Sequence, residues 1–138
     1  MANKFYVDTS IWRDYFEDRK DNMKPLGEFA FQFLKKCKER NYIIIITNEV
    51  IRELLIDYSK ERVQKIFENF KEQIISIDYT NQEYDEAKKF WIKSNKRFPI
   101  SDILHSIIAR DNAAILISRD WHFNEIGIVK CLLPEEVD

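Results

Sequence analysis

YIIIIT, residues 42–47, decides the fold class. Four consecutive isoleucines leave no polar alternation, so the segment reads as a strand buried on both faces, as parallel strands are. The residues before it, PLGEFAFQFLKKCKERN (25–41), place Phe29, Phe33, Leu34 and Cys37 at helical spacing and gather basic residues at the end, which suits a helix dipole. The residues after it, NEVIRELLIDY (48–58), carry a stripe of Val50, Ile51, Leu54, Leu55 and Tyr58, with Asn48 placed as the N-cap.

The same alternation extends in both directions. FYV (5–7) is a short apolar strand followed by a helical stretch over 10–19. Beyond residue 58, a helix is predicted over 60–70, a strand over 74–78, a long helix over 81–97, and a helix over 101–112 capped by Ser101. Strands over 113–118 and 127–133 follow. Strands separated by helices of this length indicate an α/β fold with a mainly parallel sheet of about five strands.

Composition agrees with one domain spanning 1–138, the chain being 45% apolar and 33% charged. Two glycines and three prolines leave no room for a flexible linker. The formal net charge is −2, from 22 basic and 24 acidic residues, so a strongly basic nucleic-acid footprint is absent from the average. Cys37 and Cys131 are far apart and form no metal or redox motif, which reads as reduced, buried thiols of a cytoplasmic protein. MANKFYVDTS has no long apolar segment of a secretory signal, and YIIIIT is too short to span a bilayer.

Ligands of parallel sheets sit outside the carboxyl ends of the strands. Asp8 follows the first strand and Asp120 follows the fourth, so adjacent strands would bring both carboxylates to one sheet edge. Asp102 stands in the first turn of the helix that feeds the fourth strand. On that helix Ile103, Leu104, Ile107 and Ile108 form the expected buried stripe, leaving Asp102, His105, Ser106 and Ala109 on the other side. Glu49, Glu53 and Asp57 make a ladder of like charge along one helix side, which a cation would relieve. Converging carboxylates repel one another and bring no benefit to a purely structural protein. Their hard oxygens suit Mg²⁺ or Mn²⁺, which can activate water and offset phosphodiester charge. Each acid also has a plainer reading: Asp8 as an N-cap, Asp102 as a dipole partner, Asp120 as a turn residue and Glu53 as a solvated helix residue.

Three stretches together, YVDTSIW (6–12), REL (52–54) and ISDILHSIIARDNAAILISRDWHF (100–123), resemble the PIN domain family, notably VapC-like toxins and related small PIN ribonucleases. The resemblance covers nearly the whole chain. It implies a three-layer α/β/α sandwich with strand order 3-2-1-4-5 and a Mg²⁺- or Mn²⁺-dependent endoribonuclease whose four acids are Asp8, Glu53, Asp102 and Asp120. Ser10 and Ser118 match the family's supporting hydroxyls. Glu49 competes with Glu53 for the second acid; Glu53 is preferred because it stands in the family's usual Glu-Leu context. The scarcity of glycine departs from many family loops.

The resemblance further implies an RNA substrate and, in a toxin–antitoxin setting, an antitoxin protein that occupies the acidic groove. Arg13, Arg52, Arg110 and Arg119 flank the site segments and can serve RNA phosphates or pair with the acids. The density of Phe29, Phe31 and Phe33 is compatible with a homodimer or antitoxin interface, and equally with core packing. His105 faces the Asp102 side and His122 follows Asp120, which would let either touch substrate or a metal; the plainer reading of two ordinary polar histidines is preferred, because the acids already supply ligands. Trp12, Trp91 and Trp121 read as core or rim residues. The alternative function is a PIN-like module that binds RNA or protein without catalysis; a receiver or haloacid-dehalogenase-type site is disfavoured because Ser10 stands where Asp-x-Asp needs its second acid.

Overall fold

The computed structural model describes residues 3–138. Five strands form one parallel sheet in the order β3-β2-β1-β4-β5: β1 is Lys4–Val7, β2 Ile43–Thr47, β3 Ile74–Ile77, β4 Ile115–Ile117 and β5 Cys131–Leu132. Helices α1 (Thr9–Glu17) and α2 (Leu26–Arg40) connect β1 to β2. Helices α3 (Asn48–Asp57) and α4 (Lys60–Glu68) lead to β3, and α5 (Asn81–Lys93) and α6 (Ile100–Asp111) lead to β4. A short α7 (His122–Ile126) precedes β5, and a 3₁₀ turn over Pro134–Glu136 follows it.

Alternation along β1 shows how the layers are built. Phe5 meets Phe33 of α2 edge-on, with ring centroids 5.4 Å apart, whereas the next residue, Tyr6, meets His105 of α6 at 5.5 Å. Successive strand residues point to opposite faces, so α2 covers one face and α6 the other. Trp12 of α1 is fully buried against Phe67 and Phe70. The approach of α2 to the end of α1 requires Gly27, because a Cβ there would lie 2.4 Å from the Asp18 Cα.

Several details differ from the sequence reading for identifiable reasons. Thr47, not Asn48, caps α3, its hydroxyl accepting the Val50 N–H at 3.3 Å. Helix α6 starts with Pro99 at the cap position, so Ser101 lies inside the first turn. The fourth strand begins only at Ile115, because Ala113 takes a left-handed conformation with φ 52°. The long helix stops at Lys93, before the left-handed Asn95 and Lys96. Phe33 belongs to the core; Phe29 is half-buried under the Arg119 guanidinium, and Phe31 alone of the three is exposed, its ring stacked on Tyr15. Arg110 turns away from the acids and pairs with Glu86 and Asp111. Among the described residues, no helix is long and apolar enough to cross a membrane.

Cys37 is buried and Cys131 is half-buried. Burial pushes Cys37 up to about 12, and burial with the nearby Asp8 charge pushes Cys131 up to about 12. Because the thiolate is the nucleophile, a disulfide reagent at pH 8 is expected to leave the native protein largely unlabelled and to titrate both cysteines after denaturation. Rapid labelling of the native protein, followed by absorbance, would contradict this placement.

Candidate metal centre

The parallel pairing of β1 with β4 sets Val7 beside Ile117, and the Asp8 N–H donates to the Ile117 carbonyl at 3.0 Å. Asp8 and Ser118, the residues that follow these strands, therefore emerge together at the carboxyl edge of the sheet. Asp8 stands at the N-cap position of α1, yet its side chain makes no capping hydrogen bond. Its Oδ2 instead accepts hydrogen bonds from Ser10 Oγ and Ser118 Oγ, each at 2.8 Å. Ser118 Oγ also accepts the Asp120 N–H at 3.0 Å, tying the acid after β1 to the acid after β4 through one hydroxyl.

Asp120 turns into α7, where its Oδ1 accepts the His122 N–H at 2.9 Å. His122 Nδ1 lies 3.0 Å from Asp120 Oδ1 and 3.5 Å from Asp102 Oδ2, but it is buried with no hydrogen-bond partner. Among the described residues, Asp102, Asp120 and His122 bring one ligand atom each within 4.8 Å of one another. Burial, reinforced by the charges of Asp8 and Asp120, pushes the Asp102 carboxyl up to about 6. A divalent cation fits this arrangement: it would balance the clustered negative charge and satisfy the orphaned imidazole nitrogen.

Glu53 lines a cavity of about 330 Å³ together with Asp8, Asp102, Arg13, Arg19 and Arg52, whereas Asp120 and His122 lie outside its lining. Its Oε1 accepts the Thr9 hydroxyl at 2.6 Å and faces His105 Nε2 at 3.0 Å. Burial alone would raise the Glu53 carboxyl, but the His105 hydrogen bond and charge and the Thr9 hydroxyl outweigh it and hold the group below the ordinary carboxylate value. Glu49 is buried on the same helix and pairs with Arg52, and it is absent from the lining of this cavity. Arg13 bonds to Asp57 and to the Glu53 carbonyl, and Arg119 pairs with Asp14 and Glu135.

The structure thus sets Asp8 and Asp102 in one cavity with Glu53 and sets Asp102 beside Asp120, with Ser10 and Ser118 bonded to Asp8. The two histidines are corrections to the sequence reading. His105 is fully buried in a hydrogen-bonded chain, and His122 faces two of the acids. Their positions in DILH (102–105) and DWH (120–122), one helical turn and two residues beyond an acid, were the available signals.

A parallel α/β sheet with carboxylates converging at its carboxyl edge defines the class of protein, and the sequence then specifies it. The PIN domain model matches residues 5–129, and the chain belongs to the PIN domain family. No curated protein matches the chain in sequence. Among solved structures, it is similar to VapBC2 from Rickettsia felis bound to a DNA fragment from their promoter, at 18% identity and a TM-score of 0.70, covering 94% of this chain and 98% of that one. It is also similar to DNA-bound VapBC from Salmonella typhimurium, at 15% identity, a TM-score of 0.69 and coverage of 97% and 99%. A third similar structure is Mycobacterium tuberculosis VapC20, a sarcin-ricin loop cleaving toxin, at 16% identity, a TM-score of 0.68 and coverage of 91% and 97%. At such identities the likeness speaks for the fold.

Proposed function

We propose that the chain, acting as one PIN-like domain over all its residues, is a metal-dependent endoribonuclease that hydrolyses RNA phosphodiesters as the toxin of a toxin–antitoxin pair. The observation that carries this reading is the convergence of Asp102 and Asp120 around a His122 Nδ1 that makes no hydrogen bond, with Asp8 close enough to raise the Asp102 carboxyl. Asp8, Asp102, Asp120 and Glu53 would hold Mg²⁺ or Mn²⁺, with His122 beside them. When bound, such an ion supplies Lewis-acid stabilisation of phosphoryl charge and a nucleophile at neutral pH.

The chain's own groups do the rest. Ser10 and Ser118 both donate to Oδ2 and so orient the Asp8 carboxylate, leaving Oδ1 to take a cation. Thr9 and His105 occupy Oε1 of Glu53 and leave Oε2 to take a cation or a proton from water. Arg13, Arg19 and Arg52 rim the cavity, each paired with a neighbouring acid (Asp57, Glu17 and Glu49), and would exchange that partner for an RNA phosphate. Leu55 and Ile56 are exposed on α3, and Ile56 lines the cavity, so a partner protein that blocks it has apolar surface to rest on. The VapBC likeness supports an antitoxin as that partner, and the assembly that meets it is read as a homodimer.

The test is cleavage of a pool of labelled, structured RNAs with Mn²⁺, with Mg²⁺ and with chelator. Cleavage is expected with the ions, is lost on chelation and returns with excess Mn²⁺. An absence of ion-dependent cleavage would contradict the reading and leave the non-catalytic binding module in its place.

A further inference from the structure

A buried polar chain runs beneath the acids. Tyr6 is fully buried in the central strand, and its hydroxyl lies 2.8 Å from Thr47 Oγ1 and 2.5 Å from His105 Nδ1. Thr47 Oγ1 already accepts the Val50 N–H, so its own proton is free to go to Tyr6. The Tyr6 proton then goes to His105 Nδ1 in the neutral ring, completing every donor and acceptor. At the other ring nitrogen, Nε2 faces Glu53 Oε1 at 3.0 Å. Glu53 is ionised at neutral pH and can only accept, so Nε2 carries a proton whether the ring is neutral or charged. The chain begins at Val50 in the first turn of α3 and returns to Glu53 one turn later, having crossed β2, β1 and α6.

We propose that His105, itself oriented by Tyr6, is a positioning residue that holds the Glu53 carboxylate in the acidic cavity. It is fully buried and cannot touch substrate, so its effect passes through Glu53. Packing alone does not account for it, because an apolar side chain would fill the same space without the cost of burying an imidazole. Partners of this kind, one step behind a ligand, orient the ligand and strengthen metal binding. The inference rests on the metal-dependent reading of the site, so its test includes measurements that do not need RNA cleavage.

The first measurement is the nitrogen-edited spectrum of the histidine rings in the metal-free protein. A slowly exchanging Nε2–H resonance is expected for His105, moving in Glu53→Gln, with its Nδ1 signal moving in Tyr6→Phe. An unprotonated Nε2 would overturn the proposal. The second is Mn²⁺ affinity by calorimetry: His105→Ala is expected to weaken it about 10- to 100-fold, and His105→Gln, which restores an Nε2–H donor, to recover most of the loss. Equal affinity in the alanine variant, or no recovery with glutamine, would overturn it. If His105→Ala does not fold, Tyr6→Phe keeps the ring and the packing and carries the same test; unchanged affinity there overturns the proposal. In the nuclease assay kcat is expected to follow Mn²⁺ affinity across these variants. A wild-type protein that binds Mn²⁺ and cleaves no RNA would defeat the nuclease reading, while the spectrum and the affinities still decide the role of His105.

Discussion

Asp8→Asn is expected to lower ion-dependent RNA cleavage by about 1,000-fold while the protein keeps its fold. The carboxylate is 6% exposed, stands at the end of the central strand and does no capping. Asparagine matches its shape and can still accept from Ser10 or Ser118, whose hydroxyls rotate, so the packing survives. What disappears is the charge at the point where the two central strands deliver their acids. Single-turnover cleavage at saturating Mn²⁺ measures the loss, and circular dichroism with a melting curve checks the fold. Activity within about tenfold of wild type would remove Asp8 from the site.

The second large effect concerns stability, and its sign is opposite to that of most substitutions. Burial beside the charges of Asp8 and Asp120 pushes the Asp102 carboxyl up to about 6, from 3.8 for the free side chain. The folded state therefore binds more protons between those values. In chelator, stability is expected to fall as pH rises from about 4 to 6 and to stay low above that, by about 1–3 kcal/mol. Asp102→Asn removes this repulsion, so at pH 7.5 in chelator it is expected to melt several degrees above wild type. Adding Mn²⁺ is expected to raise the wild-type Tm and to move the variant much less, since only the wild type gains by binding. A variant that melts below wild type in chelator would show that Asp102 is a structural acid satisfied by its surroundings.

The sheet and the placement of Asp8 and Asp120 at strand ends were readable because each depends on short-range chemistry, whereas the set of four acids came from the family resemblance. Ile43 to Ile46 can only be a doubly covered strand, and the order of helices between strands gives the parallel topology. Asp8 and Asp120 follow from strand ends, since adjacent parallel strands deliver their next residues to one edge. The histidines were hidden by tertiary packing. Helical spacing gives α6 a solvent side holding His105, Ser106 and Ala109, but α6 lies against the sheet with α5 and α7 also packed on it, so every residue from Ile103 to Ala109 is buried. Periodicity assumes a solvent face, and this helix has none over that span. Helix α7, five residues long, is too short to show a period, so the turn that brings His122 back toward Asp102 could not be seen in advance. Glu49 and Glu53 differ in their surroundings: one turn of α3 separates a carboxylate paired with Arg52 from one held in the cavity by Thr9 and His105.

The most direct test of the central claim is anomalous diffraction at the manganese edge from crystals grown with Mn²⁺. The account predicts a peak among the carboxylates of Asp8, Asp102 and Asp120, lost in Asp8→Asn crystals of the same form. A peak elsewhere, or none at saturating Mn²⁺, would contradict it.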